Sequence, residues 1–347
     1  MVARISHPYL TVPVQLRRSS ATSSSPPPAP SSLRRVTKPA KLSFKTAAAG
    51  SAASADGGAA GGQGPAMDFP YLSPAHRDLM LDLLSDTESR LGPHLLPSSV
   101  PPDVLSFQSD SGNCKGSLDI RHGADGSKRC SSFLTGDGIF YFLSAGGFDP
   151  AVVAALRAAL RVLDITTLFA YLRPESDAPH LLVEFIQNGP DSLVLFIDLL
   201  PRRDLVLHAD YLDHFYQQSS LEKTRQGLES AAEVAPYRSS SLYIRSVLSP
   251  TAIAVGINCG AEGARPLEEL MRELVAGAAK EVIGVWLDRC ALAEREVTEG
   301  DRTGLVARDD LIKRKTVEID LSANLPRLFG QQVASRVVGA IQKAFGI

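Results

Sequence analysis

The chain has 347 residues, of which 44% are hydrophobic, 21% charged and 6% aromatic. That balance suits a folded globular protein and excludes a fully disordered, collagen-like or disulfide-scaffold chain. The formal net charge of −2 averages two unlike parts: residues 1–55 hold eight Lys or Arg and no carboxylate, so the rest sets 28 basic residues against 38 acidic ones, a net −10.

The first part reads as an address. Residues 1–50 are basic, Ser-rich and free of acid, and they include the run Pro26-Pro27-Pro28. This is the composition of an organellar transit peptide, and its hydroxyl enrichment favours the chloroplast over the mitochondrion. Residues 51–66 are largely Ala, Gly and Ser and read as a flexible linker. Residues 67–347 are expected to form one domain, since no Gly/Pro/Ser-rich break or charge run divides them. No apolar run approaches the roughly 18 residues of a membrane span. Cys114, Cys130, Cys259 and Cys290 lack the close spacing of a zinc or iron–sulfur site.

In chain order, residues 74–95 have apolar residues at helical spacing, with Ser73 as the cap before Pro74. Strand-like runs follow at Val104–Gln108, Ser117–His122, Arg129–Leu134 and Gly138–Ser144, the last two joined by Thr135-Gly136-Asp137. Phe148–Leu163 reads as a helix opened by Asp149-Pro150. Leu181–Gln187 and Ser192–Leu199 read as a hairpin across Asn188-Gly189-Pro190. Asp210–Gln217 is predicted helical. Ser241–Leu248 and Ile253–Asn258 are predicted as a strand pair around Ser249-Pro250. A long helix over Pro266–Ala293 and two more, near Arg308–Arg314 and Gln331–Phe345, close the chain. Hairpin-joined strands with helices before, among and after them predict an α+β fold, a three-layer α/β/α sandwich on a largely antiparallel sheet.

The motifs exclude much chemistry. There is no GxGxxG after a strand, no Walker A loop, no HExxH and no GxSxG. His208 and His214 stand six apart, which is wrong for one helix face. The acidity of the folded part argues against nucleic-acid binding. The residues alone stop at an organellar α/β protein.

Several segments in order carry a resemblance: His180–Gln187, Pro201–Leu207, Asp210–Tyr216, Ser241–Pro250, Ala279–Leu287, Pro326–Gly330 and Ser335–Val338. Together they resemble the plant red chlorophyll catabolite reductases, distant relatives of the ferredoxin-dependent bilin reductases. The resemblance covers essentially all of 67–347 and implies an α/β/α sandwich with a largely antiparallel sheet. It implies reduction of red chlorophyll catabolite, an open-chain tetrapyrrole made by pheophorbide a oxygenase, to the primary fluorescent catabolite. Electrons would come from reduced ferredoxin, with no bound flavin or metal. The implied setting is the chloroplast stroma; loose thylakoid association and a second, mitochondrial site stay open. The implied partners are ferredoxin, the catabolite, pheophorbide a oxygenase as a channelling partner, and a second copy in a homodimer. The alternative is a bilin-binding scavenger that sequesters the pigment without reducing it.

The resemblance assigns Glu184, within Leu181-Leu-Val-Glu-Phe-Ile, and Asp320, within Val317-Glu-Ile-Asp-Leu, as pocket carboxylates that supply protons. Read without it, Glu184 is as well a solvent-facing residue of a half-exposed strand, and Asp320 a loop or helix-end carboxylate with Glu318 as its competitor. Tyr237, Arg238 and Ser239 are candidates for binding propionate or lactam groups. Leu248 matches a pocket position where the family carries Phe, a departure that bears on how the bilin settles. An acidic enzyme must dock an acidic ferredoxin, so a local basic patch is expected, with Arg202, Arg203, Lys313, Arg314 and Lys315 as candidates.

Overall fold

The structure is a computed structural model that describes residues 73–110, 112, 114–123, 139–146, 164–293, 295 and 297–347. Eight strands form one sheet: β1 (Ser106–Gln108), β2 (Lys115–His122), β3 (Ile139–Gly146), β4 (Asp164–Tyr171), β5 (His180–Gly189), β6 (Ser192–Leu200), β7 (Val234–Pro236) and β8 (Ile253–Asn258). Their spatial order is β1-β2-β3-β4-β5-β6-β8-β7, and every neighbouring pair is antiparallel.

Both faces of the sheet are covered, so alternate residues of one strand enter different cores. Leu181, Val183 and Phe185 of β5, with Leu193, Leu195, Ile197 and Leu199 of β6, pack against the first layer of helices. That layer includes α1 (Pro74–Leu91), through Leu79, Met80 and Leu83, and α7 (Ala276–Trp286), through Val282, Ile283 and Trp286. Phe169 and Tyr171 of β4 and Leu118 and Ile120 of β2 enter the second core, under the C-terminal helices α8 (Glu299–Thr316), α9 (Ser322–Phe329) and α10 (Gln331–Phe345). The α/β/α sandwich expected from the order of elements is therefore the fold. At its start, the Ser73 hydroxyl accepts the His76 N–H at 3.3 Å and caps α1. The buried His76 ring then ties α1 to the sheet, Nδ1 to Gln187 Oε1 at 3.1 Å and Nε2 to Thr166 Oγ1 at 2.7 Å.

Some elements differ from the sequence reading. Ser241–Leu248 is no strand: it holds the short helix α5 (Leu242–Val247), whose first turn is capped by the Ser241 hydroxyl accepting the Ile244 N–H at 3.3 Å. The local cap outweighs the β-branched, alternating look of the segment. β8 pairs instead with β6 and with the unforeseen β7. Val104 belongs to a turn of helix, α2 (Pro102–Leu105), which starts on two prolines before β1. β4 was not foreseen at all, because Thr166-Thr167 breaks the apolar alternation. The remaining short helices are α3 (Ala209–Leu212), α4 (Leu221–Glu229) and α6 (Leu267–Leu270). The predicted 266–293 helix is α6 and α7 joined and extended by two wide π turns, Met271–Val275 and Leu287–Ala291. Another π turn, Val317–Leu321, joins α8 to α9, so the expected short helix at 308–314 is the middle of a run from Glu299 to Phe329. Gly330 then turns the chain at φ 81°, a left-handed angle that favours glycine. The predicted strand Arg129–Leu134, its hairpin loop and the helix Phe148–Leu163 lie outside the described residues.

Candidate active site

The register across the sheet lines up one row of side chains. Thr167 of β4 stands opposite Glu184 of β5, Glu184 opposite Phe196 of β6, and Phe196 opposite Ala254 of β8. The Tyr237 N–H then bonds the Ala254 carbonyl at 2.7 Å. Directly opposed residues share a face, and this is the face turned away from Leu181, Val183 and Phe185. Glu184 therefore lies on the side of the C-terminal helices.

Glu184 is half-buried and accepts a hydrogen bond from the Thr167 hydroxyl at 3.2 Å. Burial, and then the charge of Asp320, push its carboxyl up to about 8, with the Thr167 bond opposing. Asp320 stands in the π turn 317–321, between the core residues Val317 and Leu321. Burial raises its pKa as well, while the Asn324 amide, donating to Oδ1 at 2.7 Å, works the other way. Two desolvated carboxyls that feel each other's charge in this way cannot both ionise at neutral pH, so the pair retains a proton. Glu318, the nearby competitor, is exposed and pairs with Lys315 at 2.7 Å.

Tyr237 is the third member. Its ring meets Phe196 edge-on, centroids 5.5 Å apart, and burial followed by the charge of Glu184 raises its phenol. It opens a segment, 237–252, that crosses this end of the sheet. Ser239 on it is buried and accepts the Ser241 N–H at 3.2 Å. Leu248 packs against the second core. Arg238 is exposed. The segment is pinned at its far end by Asp198, whose carboxylate accepts the Ser249 N–H at 2.7 Å and the Ser249 hydroxyl at 2.5 Å. Burial pushes Asp198 up to about 6 against those bonds.

The predicted basic patch needs correction at Arg202, which is 2% exposed. Its guanidinium pairs with Asp309 and donates to the carbonyls of Arg173 and Ser176, so no charge is left for a partner. Arg203 is engaged by Asp177 at 2.6 Å and Asp301 at 3.1 Å. Lys313 lies over the Tyr171 ring, 5.7 Å from its centroid. Arg314 is exposed and Lys315 is paired with Glu318.

The structure thus brings Glu184, Asp320 and Tyr237 together and keeps the basic residues elsewhere. It adds Thr167, Asn324, Asp198 and Ser249, which sequence reasoning missed. Two of them had a signal: Asn324 follows Asp320 by four, one helical turn, and Asp198 interrupts an apolar strand as Glu184 does.

Residues 75–343 match the family model described as red chlorophyll catabolite reductase (RCC reductase). The chain belongs to the red chlorophyll catabolite reductase family. It is 43% identical over 275 residues to red chlorophyll catabolite reductase 1, chloroplastic, of Oryza sativa subsp. japonica, covering 79% of this chain and 78% of that one. It is 43% identical over 284 residues to red chlorophyll catabolite reductase, chloroplastic, of Arabidopsis thaliana, covering 81% and 83%. Among solved structures it is similar in fold to tomato phytochromobilin synthase in complex with biliverdin, with a TM-score of 0.56 and 14% identity over 78% of this chain and 83% of that chain. In this member of the red chlorophyll catabolite reductase family, the row from Thr167 to Tyr237 and the π turn of Asp320 hold the carboxylate pair between sheet and helix.

Proposed function

We propose that the chain reduces red chlorophyll catabolite with electrons from reduced ferredoxin, in the chloroplast, and that Glu184 and Asp320 supply the protons. The observation that carries this is the pair of desolvated carboxyls on one face of the sheet, in a member of this family. Reduction of one double bond takes two electrons and two protons. Each electron, given up by a ferredoxin that is thereby oxidised, makes the open-chain tetrapyrrole a stronger base. A carboxyl kept protonated near neutral pH can then deliver its proton at the reacting carbon. Glu184, raised to about 8, is the proton donor, and Asp320 holds it in that state and hands on the next proton. Tyr237 and Ser239 bound the substrate, and Leu248 sets the space beside it. The exposed Arg314 and neighbouring Lys313 and Lys315 are the part of the predicted basic patch left to meet the acidic donor.

The test is anaerobic incubation of the protein with red chlorophyll catabolite and reduced ferredoxin. Formation of a colourless, blue-fluorescent product is expected. A stable red complex with no product would mean that the chain binds the pigment without reducing it, and would sink the reading. Loss of rate on reversing Arg314 to Glu at low salt, and little loss at high salt, is expected of a charge-steered donor complex.

A further inference from the structure

Asn324 lies one turn beyond Asp320 in the run of helix that faces the sheet. Its side-chain amide has two N–H donors and one acceptor oxygen to satisfy. The Nδ2 amide donates to Asp320 Oδ1 at 2.7 Å. The amide oxygen, Oδ1, is buried and has no hydrogen-bond partner among the described residues. Turning the amide over does not help, because it strands an N–H in place of the oxygen and sets two oxygens together when Asp320 is ionised. An unmatched buried acceptor lowers stability, and in a native structure such an atom calls for an explanation such as strain, a catalytic role or a group that completes it. This one stands beside the carboxyl that relays protons.

We propose that Asn324 is a substrate-binding residue: its Nδ2 holds Asp320 in place while its Oδ1 accepts an N–H of an open-chain tetrapyrrole. The proposal rests on the reading of the site given above. Pyrrole and lactam rings carry N–H donors along one edge of the molecule, next to the carbons that are reduced. An acceptor bonded to the same amide that holds Asp320 fixes the distance between that N–H edge and the acid. Asn324 thereby sets which part of the pigment meets the proton source, and it selects for ligands that present N–H rather than an acceptor at that point.

The structural role and the binding role predict different results. A residue that only supports the fold loses stability and affinity together when truncated. For Asn324→Ala, which removes the orphaned oxygen, the ligand-free protein should melt at the same temperature or higher. Its dissociation constant for red chlorophyll catabolite, measured by anaerobic absorbance titration without ferredoxin, should rise about tenfold. Asn324→Asp keeps an oxygen acceptor of the same shape in either protonation state and should bind the catabolite more tightly than Asn324→Ala. Unchanged affinity in Asn324→Ala, or a parallel fall of melting temperature and affinity, overturns the assignment. So does failure of both variants to fold. A wild-type protein that does not bind the catabolite overturns the tetrapyrrole reading of the whole site, and the assignment falls with it.

Discussion

Asp309 and Asp320 sit eleven residues apart on one run of C-terminal helix, and both meet side chains of β5. Asp309 meets complements. His180 takes a backbone N–H from Leu172 on Nδ1 at 3.0 Å, which leaves Nε2–H to donate to Asp309 at 2.9 Å, and Arg202 brings a full positive charge. Burial works against the Asp309 carboxylate, yet these partners hold it down to about 2. His180 is itself pushed down to about 4 by burial, so at neutral pH the counter-charge is Arg202's. Asp320 has no cation beside it: burial raises its pKa unopposed by any positive charge, and its own charge adds to the burial that raises Glu184. Burial is common to both sites. What separates the lowered carboxylate from the raised pair is whether a cation offsets the burial.

That contrast is most sharply tested at Glu184. Glu184→Gln should cut turnover with reduced ferredoxin by about 10²–10⁴-fold while leaving the fold intact. Because the Glu184 pKa is raised in the folded protein, its protonated form adds stability below about pH 4.5 and that contribution is lost as pH rises through about 8. Glu184→Gln should therefore unfold later than wild type in urea at pH 8–9 and level with it near pH 4. Asp309→Asn should do the reverse, costing about 3–5 kcal/mol in urea unfolding because it strands the Arg202 charge, with turnover per folded molecule kept. Equal losses of activity and stability in these two variants would erase the distinction.

The neutral buried histidines give the next effect. His76 and His180 are both lowered to about 4, mainly by burial, so their contributions are whole above about pH 6.5 and are lost as pH falls through 4. Each should cost about 3 kcal/mol between pH 7 and pH 4. Urea midpoints across that range check it, and His76→Gln should flatten the slope. The smallest effect is on the pair itself. Asp320→Asn should lower the Glu184 pKa while leaving the larger rise due to burial, read as the titration of its protonated carboxyl band in difference infrared spectra.

Much of this architecture is written in local chemistry. The 3.6-residue spacing of Leu79, Met80 and Leu83 and the Ser73 cap define α1, and the β5–β6 hairpin turns at Pro190-Asp191, just past the predicted Asn188-Gly189-Pro190, because Asn188 and Gly189 end β5. Ser241–Leu248 misled because a helix cap and a strand-like composition compete, and only the Ser241 bond to Ile244 decides between them. Glu184 was visible as a charge inside an apolar strand, but its face is set by the register against Thr167 and Phe196, which no local pattern contains. Arg202 looked like surface charge from sequence, since its counter-ion Asp309 is 107 residues away. Asn324 and Asp198 became meaningful only once their partners, Asp320 and Ser249, were in place.

The π turn at Val317–Leu321 has a consequence for how this helix tolerates insertions and deletions. A wide turn holds one residue more than an α-helical turn needs. Removing a single residue from 317–319 would let the run from Glu299 to Phe329 close up as regular helix, an inexpensive local repair. Because the wide turn already absorbs the rotation of that extra residue, α8 and α9 would keep their phase, and Asp309 and Asp320 would both still face the sheet. A one-residue deletion is thus absorbed at this turn, whereas the same deletion within the regular helix 310–316 would turn Asp309 about 100° away from Asp320.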